Sequence, residues 1–216
     1  GYIDGNAPDA RFEKPYRITA SPTIGSFYII EDQRIRILNT ILKIVSTLLH
    51  HPDSAIWDAI LSPSEEYLFF VTSSHLYRHT ISAGITELFA GTRGYCGRGD
   101  SHSLHQATFH GLSSLLFLNN FTILMSDRRY SNLRIVNLCS NTVSTFCLPT
   151  WINEDIPMSV SGPKSVCSLR KPLKLVYSSY LKAVLIMSSV HQPVMLSLNT
   201  GRHITYCTIN DALNLV

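Results

Sequence analysis

The residues best suited to chemistry in this chain gather between Gly91 and Tyr130. Arg93, Tyr95, Arg98, Asp100, His102 and His105 fall in one stretch without strand rhythm, and Arg128, Arg129 and Tyr130 follow an apolar run. A guanidinium grips carboxylate, phosphate or sulfate through two parallel hydrogen bonds. The set predicts a basic, aromatic, His-bearing patch for an anionic partner, and its plain alternative is a solvated loop. Arg98-Gly99-Asp100 spells the integrin-recognition tripeptide. A tight turn explains the same letters, through glycine's conformational freedom and aspartate's local hydrogen bonding, and we prefer the turn.

Other constellations are weaker. Of the nine histidines, His50-His51, His75/His79 and His102/His105 are close pairs. Residues i and i+4 of a strand share a face but lie about 13 Å apart, too far to hold one zinc. No acid or cysteine pattern completes a tetrahedral site, so neither a metal nor a cofactor is expected. Asp32 and Asp127 end apolar segments at matching places and read as turn acceptors rather than catalytic groups. The five cysteines form no C-x-x-C pair. Cys139 and Cys147 flank a short turn, and antiparallel pairing could bring them together as a disulfide; two reduced thiols are the equal alternative. Cys167 and Cys207 could also pair. Asn120-Phe121-Thr122 is a glycosylation acceptor tripeptide.

The elements that would position these groups repeat. Copies begin at Gly5 and Gly99. Each runs through an apolar strand ending in acid (Phe27 to Asp32; Thr122 to Asp127) and a basic-apolar alternation (Arg34 to Leu38; Leu133 to Leu138). Each closes on a shared Val-Ser-Thr, at Val45 to Thr47 and Val143 to Thr145. Weaker copies lie between and after them. Such a period, built of short runs between polar turns, predicts four-stranded antiparallel blades at about 1–50, 51–92, 93–150 and 151–210 of one all-β propeller spanning 1–216. Inner strands such as Tyr67 to Val71 are apolar throughout, as expected where both faces are covered. A helix over 35–49 is the rival reading; the Val-Ser-Thr match favours two strands with a turn near Asn39-Thr40. Residues 151–174 read as an extra loop.

At Ala10, Phe12, Pro15, Asp32 and Arg34-Ile35, and again at Ala107, Phe109, Asp127, Asn132 and Arg134-Ile135, the chain resembles the NHL-repeat family. Leu88-Phe89-Ala90-Gly91 is similar to the ending that closes a blade in that family. The resemblance implies a propeller of about six blades. Four are counted here, so the expectation is a segment whose ring is completed by sequence outside it.

Lys and Arg total 18 against 15 Asp and Glu, too even a balance to argue a nucleic-acid partner from charge. No apolar run is long enough to span a membrane, and the start, Gly1-Tyr2-Ile3-Asp4, is not a signal peptide. The reading is a non-catalytic interaction module that binds a protein or other macromolecule through its loop face, in an extracellular or membrane-anchored protein. The alternatives are a cytoplasmic propeller binding RNA or protein, and a metal-dependent propeller hydrolase or lyase.

Overall fold

The computed structural model describes residues 1–21, 25–147, 169, 171–188, 194–197 and 206–208. They form four antiparallel sheets set side by side as propeller blades. The first holds β1 (Gly5–Asn6), β2 (Arg17–Ser21), β3 (Ser26–Ile30), β4 (Arg34–Asn39) and β5 (Ile44–His50). β2 is innermost, and β1 pairs with the outer strand β5. The second blade comprises β6 (Asp58–Leu61), β7 (Tyr67–Val71), β8 (Leu76–Thr80) and β9 (Ile85–Ala90). The third comprises β10 (Leu112–Asn119), β11 (Thr122–Asp127), β12 (Asn132–Asn137) and β13 (Thr142–Cys147). The fourth comprises β14 (Pro172–Ser178), β15 (Ala183–Ser188), β16 (Val194–Ser197) and β17 (Tyr206–Thr208).

Position 35–49 is therefore a hairpin and not a helix. Asn39 Oδ1 accepts the backbone N–H groups of Ile41 and Leu42, and Lys43 takes φ 55° to start β5. Asn137 repeats the device on Cys139 and Ser140, with Asn141 at φ 54°. A side-chain amide that caps its own turn makes the reversal local, so the hairpin is written in the residues that form it.

The apolar side chains are sealed in slabs between blades. Tyr28, Ile30 and Ile35 of the first blade meet Ala59, Leu68 and Phe70 of the second. Phe69, Val71 and Leu76 of the second meet Phe109, Leu115 and Met125 of the third. Leu124, Leu133 and Phe146 of the third meet Leu175, Val184 and Leu196 of the fourth. β7 feeds two slabs at once because successive side chains point to opposite faces. Leu68 and Phe70 go one way and Phe69 and Val71 the other, which is why its run carries no polar alternation.

The strand register corrects two sequence matches. A β-bulge adds one residue to β5 opposite the Ile35-Arg36 step, and one to β13 opposite the Leu133-Arg134 step. Arg36 opposite Thr47 is therefore the counterpart of Arg134 opposite Thr145, whereas Arg34 corresponds to Asn132. By the same count Glu31, not Asp32, corresponds to Asp127. Glu31 Oε1 accepts the N–H of Glu13 at 2.8 Å, as Asp127 Oδ2 accepts that of His110 at 3.0 Å. The bulges fall at equivalent places in the two blades; the matches shift because four residues separate Asp127 from its partner Asn132 where two separate Glu31 from Arg34, a difference in turn length that letter matching cannot see.

Candidate binding face

Where inner strands begin, the connections between blades and the turns from second to third strands share one side of the propeller. Four of them enclose a cleft of about 500 Å³ lined by Ser73, His110, Gly111, Arg128, Arg129 and Lys171. Asp127 organises it from beneath. Its buried carboxylate accepts the N–H groups of His110 and Tyr130, and burial raises its pKa. Gly111 passes so close to the Arg128-Arg129 turn that a Cβ there would lie 2.9 Å from the Arg129 nitrogen. Its φ of 114° is one that only glycine adopts without strain. The Gly111 and Leu112 N–H groups both bond Ser73 O, which ties the cleft to the second blade. Arg128, Arg129 and Lys171 are exposed and make no ion pair among the described residues. Among the described residues no acid lines the cleft.

The expected patch is divided by the fold. Arg128 and Arg129 line the cleft, and Tyr130 packs edge-on against His110 at 5.7 Å. Arg93, Tyr95, His102 and His105 are exposed along the 91–106 connection but do not line it, and neither does Arg98. That connection runs to the outer edge of the third blade, where Ser101 pairs with Val143 much as Gly5 pairs with Val45. Asp100 is committed there. It pairs with the buried Arg134 at 2.9 Å and accepts the Thr145 hydroxyl at 2.7 Å. Arg134 also donates to the carbonyls of Gly99 and Thr108, so Arg98-Gly99-Asp100 is held against the third blade by partners distant in the chain, and not as the local turn expected: Gly99 takes no positive φ.

Cys139 sits in the β12–β13 turn as a free, exposed thiol, while Cys147 lies at the far end of β13 opposite Leu133. The register thus holds the two a strand length apart, and the bridge between them is not formed. Cys167 and the side chain of Cys207 lie outside the described residues. Asn120 is exposed in the β10–β11 turn. Three histidines serve packing. His51 packs at a tilt against Tyr77, with ring centres 4.6 Å apart, His75 bonds Thr92 O at 3.3 Å and His79 bonds the Thr86 hydroxyl at 2.8 Å. Burial lowers the pKa of each. No group of three His, Cys, Asp or Glu side chains placed to hold a metal occurs among the described residues.

A feature missed at the level of sequence lies on the axis beside the cleft. Asp58 is fully buried at the start of the second blade's inner strand. Oδ1 faces Arg17 Nε of the first blade at 2.7 Å and accepts the Ala59 N–H. Oδ2 accepts the Ser114 hydroxyl and the Leu115 N–H of the third blade, each at 2.8 Å. Lys174 Nζ of the fourth blade lies 4.0 Å away. One carboxylate thereby touches the inner strands of all four blades. Burial pushes its pKa up to about 6, against the opposing pull of Arg17 and the hydrogen-bond donors. A lone acid in an otherwise apolar inner strand was the signal available.

No family model and no curated protein matches the chain. Solved structures do. An auxiliary nutrient binding protein from Bacteroides thetaiotaomicron matches 86% of this chain and 46% of its own at 14% identity and TM-score 0.61. A candidate phosphatase from the same species matches 93% and 50% at 14% identity and TM-score 0.66. A nidogen/laminin complex matches 83% and 60% at 9% identity and TM-score 0.55. The likeness is one of propeller fold, and this chain spans about half the length of the solved structures it resembles.

Proposed function

We propose that this propeller is a binding module and not an enzyme, and that the cleft of Arg128, Arg129 and Lys171 takes an anionic group of a protein partner. The observation that carries the reading is electrostatic. The buried arginines Arg36 and Arg134 are both neutralised by acids, whereas these three exposed cations converge on a cleft that is lined by no acid among the described residues. Exposed guanidiniums beside His110 suit a carboxylate, phosphate or sulfate group. A neighbour named for nutrient binding is in keeping with a binding role on this fold. The NHL-type assignment of the repeats is supported by the recurring Phe-and-Arg pairs, Phe12 with Arg36 and Phe109 with Arg134. An extracellular or cell-surface setting is supported by the exposed acceptor tripeptide at Asn120.

The test is fluorescence anisotropy with a labelled hexa-glutamate peptide over a range of salt concentration. The wild-type chain binds with an affinity that falls as salt rises, and the Arg128→Glu/Arg129→Glu double variant binds at least about ten-fold more weakly. Equal affinity in the two proteins removes the cleft as the site.

A further inference from the structure

The opposite side of the propeller, where first strands turn into second and third into fourth, carries another cleft. It lies between the second and third blades and encloses about 570 Å³. Tyr67, Phe89, Phe117 and Phe121 line it together with Arg78 and Asn141. Phe69 beneath meets Phe89 edge-on at 5.2 Å and Phe117 at 5.7 Å. The Arg78 guanidinium lies 4.9 Å from the ring centres of both Tyr67 and Phe89. Glu87 neutralises it through a bond to Nε of 2.8 Å. This site therefore differs in chemistry from the cationic cleft. It has aromatic walls, a neutralised cation and an amide, which suit a neutral ligand with apolar faces and a hydroxyl rim. A pyranose ring is such a ligand, since its C–H faces lie on aromatic rings while its hydroxyl and acetamido groups find polar partners.

The same cleft is lined by Asn120, the acceptor of the single Asn-x-Ser/Thr tripeptide in the sequence. Asn119 Oδ1 accepts the Phe121 N–H at 2.9 Å and shapes the turn that presents it. We propose that Asn120 carries an N-linked glycan whose first sugars fold back into this cleft, against Phe117 and Phe121. The inference rests on the extracellular reading above. The sugar is delivered by a lipid-pyrophosphate-linked oligosaccharide and a membrane-bound transferase. Asn120 Nδ2 forms a bond to the anomeric carbon, the carbon–oxygen bond to pyrophosphate breaks, the pyrophosphate lipid leaves with the electron pair, and one Nδ2 proton passes to the transferase base.

The test uses the full chain secreted from cultured eukaryotic cells behind an added signal sequence. Mass spectrometry reads occupancy of Asn120, with Thr122→Ala as the unglycosylated control. Thermal midpoints are then compared between glycosylated and enzymatically deglycosylated protein, for wild type and for Phe121→Ala. Phe121 is 56% exposed, so its truncation leaves the fold intact. The expected result is an occupied Asn120 and a glycan-dependent rise of about 2–4 °C in the wild type that is largely lost in Phe121→Ala. An unoccupied Asn120 in secreted, folded protein overturns the proposal, as does an equal rise in both proteins. Neither outcome touches the extracellular reading, which is judged separately by antibody detection of the native protein on unpermeabilised cells.

Discussion

Arg36 and Arg134 head the largest fully buried side chains among the described residues, and each is held by the same set of partners. Arg36 pairs with Asp4 at 2.6 Å and donates to the carbonyls of Ile3 and Arg11, with its guanidinium over Phe12. Arg134 does the same with Asp100, Gly99, Thr108 and Phe109. Removing the arginine leaves two backbone carbonyls without their donor, while the half-exposed aspartate turns to water. Arg134→Met is expected to cost about 1–3 kcal/mol by urea unfolding, for the carbonyls of Gly99 and Thr108 left without a donor, and no measurable loss would contradict this account. Asp58 makes a pH prediction. Its folded pKa lies above the unfolded value, so between about pH 4 and pH 6 the folded state holds a proton that the unfolded chain has released. Stability contributed by this group is therefore present below that window and falls as pH rises through it, by an order of magnitude of about 2–3 kcal/mol. Burial pushes Asp127 in the same direction, while Asp4 is lowered, so the difference between wild type and Asp58→Asn isolates the effect. Urea unfolding at several pH values should show the variant's profile flatter across pH 4–6; parallel profiles would refute it. At this scale the turn at Asn39 was legible, because an amide that caps its own reversal is local, whereas Asp100 bonds Arg134 and Thr145, 34 and 45 residues away, and no turn of its own. The four-strand role of Asp58 was not legible, because its partners come from positions 17, 114, 115 and 174.

Strands were the most readable elements. β7 falls on the expected Tyr67 to Val71, and the turn expected near Asn39-Thr40 separates β4 from β5. Runs of β-branched and aromatic residues bounded by polar turns carry that information in themselves. The lengths of the turns from second to third strands were not readable, and they moved the Arg and acid equivalences by one or two residues. The 91–106 connection was legible only as a loop. Its course depends on a backbone bridge from Ser101 to β13, an element that begins some forty residues later. The element that shapes the cationic cleft is the entry to β10. Gly111→Ala is expected to destabilise the chain by about 1–3 kcal/mol, since alanine meets both an unfavourable φ and the Arg129 backbone. It should also weaken hexa-glutamate binding by displacing the 128–129 turn. Unchanged stability together with unchanged binding would show that this close approach does not govern the cleft.

At the scale of the whole molecule, equivalent residues meet unequal surroundings. Ile18 of β2 occupies the repeat position of Leu115 in β10, opposite Ile29 as Leu115 is opposite Met125. Leu115 is 1% exposed in the slab against the second blade, whereas Ile18 is 59% exposed. Leu115→Ala should cost about 2–5 kcal/mol, for lost burial and the cavity left behind. Ile18→Ala should stay within about 0.5 kcal/mol, as a surface change does. Comparable losses in denaturant titrations would mean that Ile18 too is covered in solution. The amino-acid sequence by itself determined the strand rhythm, the hairpin turns and the recurrence of one blade pattern, since each depends on side-chain alternation and turn chemistry within a few residues. Only the tertiary structure decided which cations share a cleft, which thiols stay apart and which carboxylate joins the blades. Those neighbours are made by blades packing side by side, and that packing brings together residues whose separation along the chain carries no trace of their meeting.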